Sequence, residues 1–312
     1  MDQQGLAKLV EQLPDLGAPV PDLAAAYWQF YRLPMPETGV LQVLLGRREV
    51  GPYRVALQAW LPQGRPLKGT LLLLHGYYDH MGLYGHLQRW ALSHDLAVLA
   101  CDLPGHGLSS GARASIQDFH FYQLTLQGLM AAATELALPH PWHVMGQSTG
   151  AGILLDYLLH NEAPTGLGKV MLLAPLVRPV SWGMSQLSYR LLRPFVDSIP
   201  RRFANNSNDA DFLRFVREAD PLQPRTLPVD WVGALARWIP RMEAAPVSAL
   251  QPIIVQGEQD QTVDWAHNLR VLGEKFAAPQ VFTLPTAGHH LANEHADIRA
   301  RYLAYLSQQL LS

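Results

Sequence analysis

The chain of 312 residues is long for one small domain and normal for one α/β domain carrying an insertion. Hydrophobic residues make up 48% and charged residues 16%, with a formal net charge of -2, which excludes a disordered chain and gives no electrostatic footprint for nucleic acid. Cys101 is the only cysteine, so an intramolecular disulfide and a thiolate metal cage are both excluded.

Residues 1–38 read as a helical leader. Residues 5–13 and 23–33 have helix length, and Pro14, Pro19, Pro21, Pro34 and Pro36 interrupt them. The opening MDQQGLAKLVEQL lacks the basic start and apolar core of a signal peptide. No apolar run approaches the roughly 18 residues of a membrane span. A cytoplasmic location is therefore expected, with peripheral membrane contact still compatible. Two strands are predicted next, over 39–47 and 53–61. In the second, Val55, Leu57 and Ala59 share a face, as in a hairpin strand buried on one side.

The pattern then changes. Leu71 to Leu74, Leu96 to Cys101, Lys169 to Ala174 and Pro252 to Val255 are short runs, apolar on both faces. Such runs suit central parallel strands covered on both sides. Helix-length segments lie between and after them, at 83–94, 116–137, 149–161, 264–277 and 293–310. In the last, Ile298, Tyr302, Leu306 and Leu310 recur every four residues and define a buried stripe. Strands alternating with helices predict a mostly parallel sheet with right-handed crossovers. No convincing strand occurs from Pro175 to about Ala245, so residues 176–246 are expected to be a helical insertion between core segments 39–175 and 247–312.

The strand ending at Met145 runs into Gly146-Gln147-Ser148-Thr149-Gly150 and then a helix. This is G-x-S-x-G in its required strand–turn–helix setting, which presents a serine hydroxyl on a sharp turn. Side chains at 146 and 150 would collide with neighbouring backbone there. The helix N-terminus also favours developing negative charge.

A serine hydroxyl is a weak nucleophile and needs a base oriented by a carboxylate. In this setting the chain order is Ser, then acid, then His. Asp260 follows the strand ending at Val255, with Glu258 and Asp264 as alternatives and helix capping as its other role. His289 and His290 follow the strand near 280–284, and spacing alone does not choose between them. Two backbone N–H groups should form an oxyanion hole, one from Thr149 and one from the loop His75-Gly76-Tyr77-Tyr78, where Tyr77 is the chosen donor. His75, His80 and His86 invite a metal reading, but His75-Gly76 already has a structural task there. No metal and no cofactor are expected.

These motifs resemble those of the monoacylglycerol lipase and lysophospholipase group of α/β-hydrolases, also labelled the serine aminopeptidase family. The resemblance spans roughly residues 40–311. His75-Gly76 with Asp79-His80 and Tyr84 is similar to the family's HG-x-x-EH-x-x-x-Y stretch, and Asp102 to Ser109 to its D-x-x-GHG-x-S loop. The elbow at 146–150, the acid loop at 260–264 and Ala287-Gly288-His289 match as well. The resemblance implies the α/β-hydrolase fold, an eight-stranded, mostly parallel sheet with a helical cap at 176–246. It also implies a triad of Ser148, Asp260 and His289, which selects His289 from the doublet. Thr149 departs from the methionine frequent after the family's serine; the backbone donor survives, but the wall beside the acyl pocket changes.

The expected activity is hydrolysis of a carboxylic ester, a lipid-like monoester by resemblance, with Trp182, Met184 and Leu187 of the cap as candidate substrate contacts. Short-chain or aryl esterase and thioesterase activities are the nearest rivals. Acyl transfer to an alcohol would share the acyl-enzyme. An aminopeptidase is less expected, because the cap lacks an obvious acidic cluster for a free amine. A non-catalytic binding module is the rival of another class, and it would be free to lose triad members that are all present here.

Overall fold

A computed structural model describes residues 1–311. After helices α1 (Gln3–Gln12) and α2 (Leu23–Phe30) come β1 (Leu41–Val50), β2 (Tyr53–Pro62) and β3 (Gly69–Leu74). Alternation follows, with α3 (Gly85–Ser93), β4 (Leu96–Cys101), α4 (His120–Glu135), β5 (Trp142–Gln147), α5 (Thr149–His160) and β6 (Leu167–Leu173). The insertion holds α6 (Trp182–Leu192), β7 (Ser198–Pro200), α7 (Ala210–Arg214), a π-helical turn (Phe215–Ala219), β8 (Thr226–Pro228) and α8 (Val229–Glu243). The chain returns with β9 (Ile253–Gly257), α9 (Trp265–Lys275), β10 (Gln280–Leu284) and α10 (Ala296–Leu311).

The sheet has eight strands in the order β1-β2-β4-β3-β5-β6-β9-β10. Only β2 runs against its neighbours, so the sheet is mostly parallel, as predicted for an α/β-hydrolase. Every residue of β3, β4 and β5 is buried. Their side chains alternate between two cores, as the two-residue strand period requires. Leu72, Leu74 and Leu99 pack with α4, α5 and α8, whereas Leu71, Leu73 and Val98 pack with α1, α2, α3 and α10.

The leader is part of that second core. Leu6, Leu9, Tyr27 and Trp28 are buried in it. This corrects the one-sided reading of β2: Val55, Leu57 and Ala59 do share a face, but Ala56 and Trp60 on the other face are buried as well, among the leader side chains. The leader also reaches the insertion, where the Phe30 and Phe215 rings lie 5.7 Å apart.

The insertion is not purely helical. β7 and β8 form an antiparallel ribbon. Each has three residues and ends in a proline, so neither has the length or the alternation from which a strand is read. No helix among the described residues is long and apolar enough to cross a membrane.

Candidate active site

Strand β5 ends at Gln147 and helix α5 begins at Thr149, leaving Ser148 alone in the turn at φ 52°, ψ −111°. A non-glycine residue at positive φ is strained and persists only where its surroundings fix it. Two backbone bonds do so: Ser148 N–H donates to Leu173 at the end of β6 (2.8 Å), and the Ser148 carbonyl accepts from Gly152 (2.9 Å). The flanking glycines are required by contact. A Cβ at Gly146 would lie 2.4 Å from the Ala151 nitrogen, and one at Gly150 would lie 2.5 Å from the Leu74 carbonyl oxygen. As the first residue of α5, Thr149 has an N–H without an intrahelical acceptor.

Asp260 and His289 come from the loops after β9 and β10. His289 Nδ1 donates to Asp260 Oδ2 at 2.7 Å. The other carboxylate oxygen accepts from the Thr262 and Val263 N–H groups at 2.8 and 3.0 Å. Burial pushes the Asp260 pKa upward, but the facing imidazole and these bonds outweigh it and hold the carboxyl below its ordinary value. Of the alternatives, Asp264 caps α9 through the His267 N–H, and the bond to His289 is made by Asp260 and not by Glu258. The second histidine of the doublet, His290, pairs through Nε2 with Asp79 at 3.0 Å.

Ser148, His289, Tyr77 and Thr149 all line one cavity of about 390 Å³. His289 keeps Nε2 uncommitted. Among the described residues no direct hydrogen bond joins it to the Ser148 hydroxyl; such bonds are often long until substrate is bound. The Tyr77 ring stacks on Trp231 of α8 at 3.7 Å, and its hydroxyl donates to the Ala114 carbonyl at 2.7 Å. The insertion therefore presses on the loop expected to supply the second oxyanion donor. Leu176, Ile199, Val216 and Leu227 add an apolar wall.

Trp182, Met184 and Leu187 are not brought to this cavity. Trp182 is buried in the core against the sheet, while Met184 and Leu187 are 73% and 58% exposed on the outer face of α6. The lining comes instead from the ribbon and α7, which carried no periodic signal. His75, His80 and His86 do not converge either. His75 Nε2 accepts from the Leu103 N–H, His80 Nε2 pairs with Asp220, and His86 contacts Arg89. Burial and the nearby His106 push His75 down to about 3, so it is neutral and serves as a loop brace. Among the described residues no cluster of three or more His, Cys, Asp or Glu side chains could hold a metal.

Several supporting residues carry little or no sequence signal of their role. Gln147 occupies a variable place in the elbow motif, yet its amide donates to the His289 carbonyl at 2.8 Å. Buried Glu294 accepts from the Gly288 N–H at 2.6 Å and the Asn208 N–H at 2.8 Å, which fixes the histidine loop against the insertion. Asp79 also accepts from the Tyr84 hydroxyl at 2.8 Å, and only its place in the resembling stretch marked it.

Comparison with known proteins agrees with this architecture. The family model described as "Serine aminopeptidase, S33" matches residues 65–296. The monoacylglycerol lipase of Mycolicibacterium smegmatis is 27% identical over 257 residues, covering 78% of this chain and 89% of that protein. The monoglyceride lipase of Mus musculus is 29% identical over 219 residues, covering 66% of this chain and 69% of its own. The solved structure of a soluble variant of monoglyceride lipase from Saccharomyces cerevisiae superposes with a TM-score of 0.74 at 16% identity, covering 89% of this chain and 97% of that one.

Proposed function

The chain belongs to the serine aminopeptidase, S33, family of α/β-hydrolases and is an ester hydrolase; on that premise we propose that it cleaves lipid-like carboxylic monoesters, such as a monoacylglycerol or lysophospholipid, through an acyl-enzyme on Ser148. The observation that carries this reading is the alignment of three features on one cavity: a serine at strained positive φ, the 2.7 Å His289–Asp260 bond and an apolar wall.

In this mechanism His289 Nε2 takes the Ser148 proton as Oγ attacks the ester carbonyl. Asp260 fixes the tautomer with Nδ1–H and balances the imidazolium. The N–H groups of Tyr77 and Thr149 stabilise the oxyanion, a contribution worth about 10²–10³ in rate per donor in comparable sites. The imidazolium then protonates the leaving alcohol. Water activated by the same imidazole releases the acid and regenerates Ser148. Residues 176–246 act as the cap that admits substrate. The exposed apolar side chains of α6 suit contact with a lipid surface.

Hydrolysis of p-nitrophenyl esters from acetate to palmitate, by wild type beside Ser148→Ala, tests the proposal. Serine-dependent turnover that rises with chain length supports it. Turnover that falls steadily from acetate favours a short-chain esterase. Equal inertness of both proteins, with no labelling of Ser148 by a fluorophosphonate, would leave a binding module.

A further inference from the structure

Three arginines, Arg201, Arg202 and Arg217, line the same cavity as Ser148. Among the described residues the lining holds a single carboxylate, Asp79, and it is already engaged by His290 and Tyr84. An apolar acyl chain or a neutral glycerol brings no negative charge to balance this surplus.

Arg201 is the best placed of the three. Its N–H donates to the Arg225 carbonyl at 2.9 Å, which continues the β7–β8 ribbon and fixes its backbone. The side chain is half-buried. Its guanidinium carbon lies 4.0 Å from the Tyr78 ring centroid and 4.3 Å from that of Phe203. Nη1 donates to Gln223 Oε1 at 2.7 Å and to the Pro224 carbonyl at 3.1 Å. The fork is thus oriented and packed before any ligand arrives, as receptors for carboxylate and phosphate oxygens require. Among the described residues no carboxylate lies within ion-pair distance of it, and Nε and Nη2 have no acceptor. The charge thus stands over the ring of Tyr78, the residue next in the chain to the proposed oxyanion donor Tyr77.

We propose that the cavity takes an ester that also carries an oxyanion, a phosphate or a carboxylate, and that Arg201 receives that group. This deepens the ester-hydrolase reading and rests on it. A neutral monoacylglycerol is then a secondary substrate, and an anionic amphiphile of similar size the preferred one.

The test uses three lauroyl esters below their micellar concentrations at fixed ionic strength: 1-monolauroylglycerol, 1-lauroylglycerol 3-phosphate and 3-lauroylglycerate. Release of lauric acid gives kcat/KM for wild type, Arg201→Gln, Arg201→Lys and Ser148→Ala. The expected result is a wild-type preference for an anionic ester. Its ratio to the neutral ester should fall by about 10- to 100-fold in Arg201→Gln, the size of a lost charge-assisted hydrogen bond. Arg201→Lys should retain part of that ratio. Preference for the phosphate or the glycerate identifies which oxyanion is read. If Arg201→Gln lowers all three esters in equal proportion, the arginine only braces the ribbon and the proposal fails. A wild-type preference for the neutral ester defeats it as well. Absence of Ser148-dependent turnover on every ester would instead bring down the hydrolase reading beneath it.

Discussion

The side-chain amide of Gln147 donates to the main-chain carbonyl of His289 at 2.8 Å, so the residue before the proposed nucleophile is bonded to the residue bearing the proposed base. Its Oε1 accepts from the Ala292 N–H at 3.4 Å. The elbow and the histidine loop come from strands separated in the sheet by β6 and β9, and this amide holds them in register. Gln147→Leu would leave the His289 carbonyl and the Ala292 N–H unpaired in a buried place, at a cost of about 1–3 kcal/mol. The looser imidazole should cost more in turnover than in binding: kcat about tenfold lower with KM little changed, since positioning acts on the transition state. A rise in KM alone would place Gln147 in substrate binding instead.

The sheet and the elbow were legible because their signals are local. Leu71 to Leu74 is apolar on both faces, and only a strand covered on both sides needs that. The segment 146–150 announces its turn through two glycines whose Cβ atoms would strike backbone. The cavity wall was not legible. Ile199 and Leu227 sit on three-residue strands, too short for a period. Apolar residues in an insertion over a site suggest a pocket, whereas α6 turns Met184 and Leu187 to solvent. The coverage of β2 by the leader needed contacts between segments far apart in sequence.

A buried ion pair joins the core to the insertion and makes a second prediction. His80 Nε2 and Asp220 Oδ2 lie 3.0 Å apart, both fully buried. Asp220 Oδ1 also accepts from the Tyr31 hydroxyl of the leader at 2.7 Å. Burial disfavours both charges, but Asp220, Asp102 and Asp79 outweigh it and raise the His80 pKa, while His80, Tyr31 and Gln223 lower that of Asp220. The raised histidine contributes stability fully below about pH 6.5 and loses it as pH rises through its folded pKa. The lowered aspartate contributes above about pH 3.9 and loses it as pH falls through its folded pKa. The tie is therefore strongest between these limits. Asp220→Asn should cost about 3 kcal/mol there, and less at alkaline pH, measured as Tm across pH. Limited proteolysis should cut the insertion sooner in the variant. An unchanged Tm–pH profile would mean that the pair does not govern docking.

Glycines at two places should respond with opposite sign. Gly150→Ala would put a Cβ 2.5 Å from the Leu74 carbonyl oxygen and 2.6 Å from that of His75. Those are backbone atoms at the end of β3, so the strain should cost about 1–3 kcal/mol or more. It should also displace the serine, abolishing fluorophosphonate labelling under conditions where the variant remains folded. Gly273 lies exposed within α9, with nothing within 4 Å of its Cβ position. Gly273→Ala should stabilise the protein by about 0.5–1 kcal/mol, because alanine loses less backbone entropy in a helix. Labelling should be unaltered.

The outer face of the insertion offers the last prediction. Met184, Leu187 and Leu191 follow helical spacing on α6, and Phe195 lies in the turn after it; the four are 73%, 58%, 62% and 82% exposed. Exposed apolar side chains grouped in this way mark a contact surface, and Arg190 and Arg193 lie among them in the sequence. None of the four lines the cavity, so substitution there separates adsorption from chemistry. Leu187→Glu with Leu191→Glu removes two side chains, each worth about 1.5–3 kcal/mol when fully buried, and adds charge repelled by anionic lipid. Sedimentation with phosphatidylglycerol vesicles should fall, and hydrolysis of a monoester embedded in them should drop about tenfold, on the scale of one such side chain. Turnover of soluble p-nitrophenyl butyrate should stay unchanged. Equal loss on both substrates would indicate damage to the insertion, and no loss on either would show that this face does not carry adsorption to lipid.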